Sequence, residues 1–447
     1  MIEICTVGGY KEVGKNMTAV KVDDEVFIID MGLLMEEYIR YTEDEDVVDL
    51  SPHTLMKIGA VPNINLIADW KSKVKAIIAT HAHLDHIGAI PFLANAFRDA
   101  PVLATPFTIA VLNDILKDEK HKANKMRNKI IPLPPNSFYD FGKVKIEFIH
   151  ITHSVPQTVM VAIHTKYGII LYANDFKLDN NPVLGKKPNY KRFRELSKQN
   201  VLVLILDSIY SSNATKTPSE AIAREMLRDV MLELAVQDNA VIVTTFSSHI
   251  ARLKSIIDFG KRMKRKIIFI GRSLAKYVEA AESIGLVKFS KDVEIVKYRD
   301  KVEKRFAKLK KENLKDYLLV VTGHQGEKKA ILSKMTRHVL PFEFKPGDCV
   351  IFSCNVIPAE VNIQDRKELE SVLMSKKVRI FRSIHVSGHA AREDQRELIS
   401  MLKPAHVIPA HGDDSMQKAM GELSEELGYK IGKTVHLMKD GQRLRII

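Results

Sequence analysis

The sequence predicts an α/β protein built around a mainly parallel sheet, and three observations carry that expectation. First, short β-branched runs alternate with amphipathic segments through the second half: 201-VLVLILDS-208, 240-AVIVTTFSSHIARLKSIIDFG-260, 266-KIIFIG-271, 317-YLLVVTGHQGE-327 and 349-CVIFSCN-355. Strand and helix signals at that spacing imply parallel strands with helices on both faces. Second, the stretch 77-IIATHAHLDHIGAIPFL-93 places His81, His83, Asp85 and His86 between a buried strand, Val74 to Thr80, and an apolar-periodic helix, Ile87 to Phe97. Third, 447 residues with 45% hydrophobic and 28% charged content suffice for two or three packed domains.

The strand-to-helix loop carries chemistry. In extended backbone His81 and His83 share one side, whereas Asp85 and His86 start the helix and can point elsewhere. Imidazole and carboxylate together suit borderline divalent ions such as Zn²⁺ or Mn²⁺. One arrangement is two metals side by side, with a pair of ligands for each.

Composition narrows the partners. Lys and Arg outnumber Asp and Glu by 68 to 55, a net charge of +13 that favours a polyanion, nucleic acid above all. Apolar runs such as Val201 to Leu206 are far too short to span a bilayer. The start, Met1 to Gly9, lacks the regions of a signal peptide. Three cysteines, Cys5, Cys349 and Cys354, show no zinc-finger spacing and read as reduced thiols. The expectation is a soluble, cytoplasmic protein with no membrane association.

In chain order, residues 1–30 read as two strands joined by the Gly-rich turn 8-GGYKEVGKN-16, the second running from Thr18 to Asp30. Asp30 ends 26-VFIIDMG-32, a strand end where an aspartate ordinarily caps a turn. Residues 36–60 are acidic and expected to be irregular. The basic segment 117-KDEKHKANKMRNK-129 reads as a solvated helical face or an RNA contact. Around the turn in 146-IEFIHITHSVPQTVMVAI-163, His153 is the candidate ligand and His150 a packed or surface residue. Asp175 ends the strand 168-GIILYAND-175, where its two oxygens could bridge two metals, and Asp207 ends the strand at 201–208.

Thr217-Pro218-Ser219-Glu220 reads as a capping box opening a helix whose buried face is Ile222, Met226, Val230 and Leu234. Three junctions, 244-TTFSSH-249, 271-GRSLAKY-277 and 322-TGHQGE-327, put hydroxyls, Gly or donors at the carboxyl ends of strands, a phosphate-contacting edge of an open sheet. Basic clusters at 261-KRMKRK-266 and 301-KVEKRFAKLKKENLK-315 are solubilising or contact faces, the second an exposed helix. In 385-HVSGHAARED-394, a Ser-Gly loop between two histidines suits a phosphate oxyanion. His411, in 405-AHVIPAHGDD-414, can complete a second metal site, whereas His406 fits an ordinary strand side chain.

The order Asp30, His81-x-His83-x-Asp85-His86, His153, Asp175 resembles the first four motifs of the metallo-β-lactamase superfamily, with Asn174 where Gly is usual. TTFSSH, TGHQGE, HVSGHA and PAHGD extend the resemblance to its β-CASP branch and the ribonuclease J group, over essentially the whole chain. The resemblance implies an αββα core at 1–208 and 385–447, with an α/β β-CASP domain on a mainly parallel sheet inserted at 209–384. It implies one metal on His81, His83 and His153, a second on Asp85, His86 and His411, and Asp175 bridging. Asp30 would orient the metal loop. His389 and Asp207 would be catalytic beside Asp85, and His385, Val386, Ser387, Gly388 and His389 would bind substrate phosphate, with Ser247 on the RNA face.

The implied activity is hydrolysis of single-stranded RNA, mainly from the 5′ end towards the 3′ end, with two divalent ions per chain, Zn²⁺ expected and Mn²⁺ the alternative. The expected form is a short one without the further C-terminal domain usual in bacterial members, so a homodimer stays an open arrangement. His324 departs from the usual TGSQGE. Three rivals share parts of the pattern. An endoribonuclease of the polyadenylation-factor type often carries an added N-terminal RNA-binding module, whereas here the core signals begin almost at Met1. A small-molecule metallo-hydrolase would not need the basic insert or HVSGHA. A non-catalytic RNA binder should have lost ligands.

Overall fold

The computed structural model describes residues 1–44, 49–117, 125–236, 238–357 and 360–447. It divides into two compact units: residues 1–180, 185–217 and 387–447 in the first, and 181–184 with 218–386 in the second.

The first unit stacks two mixed sheets. One has seven strands: β1 (Ile2–Gly8), β2 (Met17–Val22), β3 (Glu25–Ile29), β4 (Val74–Ala79), β5 (Val102–Ala104), β6 (Ile130–Pro132) and β19 (Arg443–Arg445), in the order β19-β1-β2-β3-β4-β5-β6. The other has six: β7 (Ser137–Asp140), β8 (Lys145–His150), β9 (Val159–Thr165), β10 (Gly168–Ala173), β11 (Val201–Asp207) and β18 (His406–Ala410), in the order β18-β11-β10-β9-β8-β7. Phe27 and Ile29 of the first sheet pack with Phe148, Tyr172 and Ile205 of the second in one core. The opposite face of the second sheet buries Leu171 and Leu204 with Phe193, Leu398 and Met420 from the helices Tyr190–Leu196, Arg392–Leu402 and Asp414–Glu426. With both faces covered, β11 is buried at every position, which is why 201-VLVLILD-207 shows no polar alternation.

Strand direction matters most for function. β3, β4, β5 and β6 are mutually parallel, as are β10, β11 and β18. Their carboxyl ends deliver Asp30, Thr80 and His81, Asp175, Asp207 and His411, the positions where side chains of α/β sheets meet ligands.

The second unit holds a six-stranded, wholly parallel sheet: β12 (Val241–Thr244), β13 (Lys266–Ile270), β14 (Val293–Val296), β15 (Tyr317–Val321), β16 (Cys349–Phe352) and β17 (Arg379–Phe381), in the order β14-β13-β15-β12-β16-β17. Neighbouring β13, β15 and β12 release the GRSLAKY, TGHQGE and TTFSSH segments at one edge.

Several expectations need correction. Residues 1–30 form three strands, because Asp23 adopts φ 53° and turns the chain between Val22 and Glu25. Asp tolerates that left-handed backbone. The segment 36–60 contains two helices, Met35–Asp44 and Pro52–Lys57, the second capped by Ser51, although Glu45 and Asp46 lie outside the described residues. The helix expected from Ile87 to Phe97 is broken into Leu84–Ile87, Ile90–Leu93 and a 3₁₀ turn, Ala94–Phe97, with Pro91 in the first turn of the second piece.

The N-cap near residue 218 is Ser219, not Thr217, and no capping box forms there. Thr217 instead gives its N–H to Asp394 and its hydroxyl to the His389 carbonyl, and Glu220 points inward to Arg252. The helix Glu220–Glu233 accordingly buries Ala223, Leu227 and Met231 and leaves Ile222 exposed, a face rotated by one residue from the expected one, although Leu234 just beyond it is buried as expected. Of 117–129, residues 118–124 lie outside the described residues, and the preceding helix ends at Leu116. Arg299–Leu309 is a helix, but it buries Val302, Phe306 and Leu309. Among the described residues, no helix is long and apolar enough to cross a membrane.

Candidate metal centre

Three backbone hydrogen bonds fasten the loop that follows β4. Asn16 N–H donates to the Asp85 carbonyl at 3.0 Å, Met31 N–H to His86 at 2.7 Å, and Leu33 N–H to Leu84 at 3.0 Å. Gly32 makes this approach feasible, since a Cβ there would fall 1.6 Å from the Asp85 carbonyl oxygen. Asp30, wholly buried with φ 59°, turns its carboxylate under the loop. It accepts the Thr80 N–H at 2.8 Å and the Thr80 hydroxyl at 3.0 Å, and lies 2.7 Å from His86 Nδ1.

These bonds decide proton positions. The Thr80 hydroxyl spends its proton on Asp30, so its oxygen accepts from His81 Nδ1 at 3.0 Å. His153 Nδ1 donates to the Gly388 carbonyl at 2.8 Å. Both rings therefore present a bare Nε2. His81 Nε2 lies 3.0 Å from His83 Nδ1, and His153 Nε2 lies 3.2 Å from that same atom. Each bare nitrogen is also 3.4 Å from Asp175 Oδ2. Burial lowers the His81 pKa to about 3 and holds His153 well below the usual range, so these rings stay neutral.

A second cluster adjoins the first. Asp175 Oδ1 faces His86 Nε2 at 3.2 Å and His411 Nε2 at 3.4 Å. Asp85 Oδ2 completes the group, 3.6 Å from His86 and 3.7 Å from His411. His411 adopts φ 54° directly after β18, and its N–H bonds to the Gly9 carbonyl at 2.7 Å. Burial would raise the Asp175 pKa, but the imidazoles around it hold it well below the carboxylate range.

The residues present fit divalent cations. Buried acceptors normally find donors, yet among the described residues Asp175 Oδ1 and His411 Nδ1 are buried without a hydrogen-bond partner. Bare imidazole nitrogens around a carboxylate oxygen repel one another unless positive charge lies among them. His81, His83, His153 and Asp175 could hold one ion, and Asp85, His86, Asp175 and His411 another, with each set of ligand atoms within 4.8 Å of one another. N and O donors of this type suit Zn²⁺ and its borderline neighbours.

Beside these clusters, His389 Nδ1 bonds to Asp207 Oδ2 at 2.9 Å, and its Nε2 lies 3.9 Å from Asp175 Oδ2. Burial lowers the His389 pKa, but Asp175 and Asp207 overcome that and push it up to about 9. The loop before it is braced within the same unit. Lys177 Nζ donates to the Ser387 carbonyl at 3.2 Å, and the Tyr210 ring lies edge-on to His389 with centroids 6.2 Å apart. Gly388 lies against His153, where a Cβ would meet the ring at 3.0 Å. In the second unit, Ser247 Oγ is 2.9 Å from Ser273 Oγ, Val386 is buried, and His385 is half-buried after β17.

A metallo-β-lactamase superfamily model matches residues 11–206, a ribonuclease J β-CASP domain model 238–366, and a Zn-dependent metallo-hydrolase RNA specificity domain model 374–437. The chain is 42% identical to ribonuclease J of Methanocaldococcus jannaschii, over 99% of this chain and 98% of that one. It is 43% identical to ribonuclease J of Pyrococcus abyssi, over 100% and 97%. The chain belongs to the ribonuclease J family. A crystal structure of an Enterococcus faecalis protein of unknown function, 17% identical, shares the fold over 99% of both chains with a TM-score of 0.68. The fold is thus the metallo-β-lactamase fold with a β-CASP domain.

Within this ribonuclease J framework, the structure brings Asp30, the four loop residues, His153, Asp175, Asp207, His389 and His411 together around one buried centre. His150 lies apart, bonded to the Lys186 carbonyl, and His406 pairs with His436. Sequence reading missed Asn16, Thr80, Lys177 and Tyr210. Asn16 stands 3.1 Å from His86 Nε2 and is itself held by Asn174 at 3.1 Å. Asn174, noted only as a departure from Gly, thus braces a side chain at the centre. The Gly-rich turn ending at Asn16 was the available signal for this contact.

Proposed function

We propose that the chain is a metal-dependent ribonuclease that degrades single-stranded RNA from the 5′ end towards the 3′ end, using two divalent ions. The observation that carries the reading is the Asp175 carboxylate, whose two oxygens serve two separate lone-pair clusters beside the His389–Asp207 pair, in a chain of the ribonuclease J family. On this reading residues 1–208 and 385–447 are the catalytic core, and 209–384 the RNA-gripping insert.

His81, His83 and His153 would hold one ion, Asp85, His86 and His411 the other, and Asp175 both, with Asp30 fixing the loop beneath. Zn²⁺ is the expected metal. Bound divalent ions supply positive charge to a phosphate and lower the pKa of water towards neutrality. The rest of the work falls to side chains. Asp207 accepts from His389 Nδ1 and so leaves the Nε2 proton for transfer. His389, protonated at neutral pH, gives that proton to the departing 3′ oxygen and offsets charge developing on the phosphate. His385 to His389 grip a phosphate of the substrate strand, and Ser247 contributes a hydroxyl on the RNA face.

The test is a time course on 5′-labelled, 5′-monophosphorylated single-stranded RNA with Zn²⁺ or Mn²⁺ and a chelator control. Immediate release of labelled mononucleotide without labelled intermediates is the expected result. A ladder of labelled fragments would replace the exonuclease by an endonuclease. Cleavage unaffected by the chelator would remove the metal mechanism.

A further inference from the structure

One extensively bonded buried charge in the second unit belongs to none of the roles above. Arg252, in the first turn of the helix Ile250–Arg262, is completely buried. Its Nε and Nη2 clasp Glu220 Oε1 and Oε2 at 2.6 and 2.9 Å. Its Nη1 faces the Ser353 carbonyl at 2.9 Å, Ser353 Oγ at 2.8 Å, the Ile384 carbonyl at 3.1 Å and His385 Nδ1 at 3.4 Å. Ser353 Oγ donates to the same Ile384 carbonyl at 2.8 Å, and Glu220 Oε2 also lies 3.3 Å from His249 Nε2.

An ion pair buried this deeply is rarely the most stable filling for a core, because an apolar pair of equal volume avoids the desolvation. What an apolar pair could not do is reach across to the segment after β17. That segment bends sharply, since Ser383 takes φ 57°, a left-handed backbone uncommon outside glycine. Arg252 and Ser353 together hold the carbonyl that follows the bend, so His385 is delivered to a fixed place.

The bond to His385 has a further consequence. A guanidinium has donors and no acceptor. At this contact, the longest of the four that Nη1 shares between its two N–H groups, His385 Nδ1 is therefore the acceptor, which leaves the ring's own proton on Nε2. The geometry points to Arg252, clamped by Glu220, as a positioning residue that sets both the place and the tautomer of His385, so that Nε2–H is offered to an anionic phosphate oxygen of the RNA. The inference rests on the reading that His385 to His389 grip phosphate, and extends it to the residues that make His385 a donor.

Two measurements on the full, Zn²⁺-loaded chain test it. In ¹⁵N-histidine-labelled protein, long-range ¹H–¹⁵N correlations report each ring's tautomer, and the His385 signals are those lost in H385Q. The expected pattern is an unprotonated Nδ1 and a protonated Nε2, and the reverse pattern overturns the inference. In R252K and R252M, KM for 5′-monophosphorylated RNA should rise about tenfold while kcat falls less than about threefold, the split that marks lost ground-state binding. E220Q should fall between these variants and the unmodified chain, with mixed His385 tautomers. Fallen kcat at unchanged KM in folded R252K would sink the positioning role. Should the Arg252 variants not fold, the tautomer in the unmodified chain decides. An unchanged KM in H385Q would defeat the phosphate reading itself, whichever tautomer is found.

Discussion

The two units each bury a cluster of charged and polar side chains, and the clusters differ in how completely they are satisfied. Around Arg252 every strong donor meets an acceptor: both Glu220 oxygens, two backbone carbonyls and a hydroxyl. Around Asp175 the accounting does not close: the bare Nε2 atoms of His81 and His153 converge at 3.4 Å on one carboxylate oxygen, and among the described residues the other oxygen is left without a donor. A closed network is a scaffold whose charges are neutralised within the chain. An acceptor-rich network requires charge from elsewhere, and that requirement separates a site from a support.

The largest effect should come from removing the shared carboxylate. D175A is expected to lower RNA hydrolysis by at least about 10³-fold, the scale of losing a major electrostatic element at a reacting centre. RNA binding by filter retention should stay within a few-fold, and the rise in melting temperature on adding Zn²⁺ should shrink. Retained hydrolysis would mean that the acceptor cluster is structural.

The closed network should break differently. R252M takes the guanidinium away from Glu220 and should destabilise the second unit by about 3–5 kcal/mol, read from urea unfolding. The double variant R252M/E220L should recover most of that stability without restoring KM. If it recovers none, the network supports the unit in a way an ion pair alone does not explain.

Asp30 lies between these extremes, a satisfied carboxylate beneath an unsatisfied centre. D30N keeps the shape and weakens the hold on His86 and Thr80. Metal affinity should fall about 10–100-fold, the usual consequence of losing a partner that orients a ligand, measured by chelator competition.

The smallest effect concerns Asp440, near the Gly-rich turn. It accepts the Tyr10 N–H at 3.0 Å and lies 3.6 Å from Lys15. Burial and the nearby Glu12 raise its pKa from 3.8 to about 6. A carboxyl raised on folding binds more protons in the native state, so its stabilising contribution is full below about pH 4 and lost as pH rises through about 6. D440N lacks this penalty. It should match the unmodified chain at low pH and exceed it by about 1–3 kcal/mol above pH 6. Melts at pH 4.5 and 8 that show the same gap would remove the effect.

Much of the centre could be read from the chain because its ligands sit at strand ends, where an apolar run stops at a single polar residue. Asp30, His81, Asp175, Asp207 and His411 all announce themselves that way. Asn16 and Lys177 do not, since each acts by touching a segment remote in sequence, Asp85 and Ser387 respectively. The capping box at Thr217 misled because the local pattern competes with tertiary partners: Asp394 and the His389 carbonyl claim Thr217, and Arg252 claims Glu220. The helix face rotated with it. The hairpin at Asp23 did have a local signal, the Asp23-Asp24 pair between two apolar runs, which the reading of one long strand passed over.

By itself, then, the amino-acid order determined the α/β alternation, the donor types and their places at strand ends, because these depend on periodicity and spacing along the chain. The tertiary structure decided which oxygen of Asp175 faces which histidines, which ring nitrogen of His81, His153 and His385 carries the proton, and which buried charge is closed off by a partner. Those are matters of direction between residues brought together from distant parts of the chain. A hydrogen bond is directional to within a few tenths of an ångström, and no spacing in sequence encodes that.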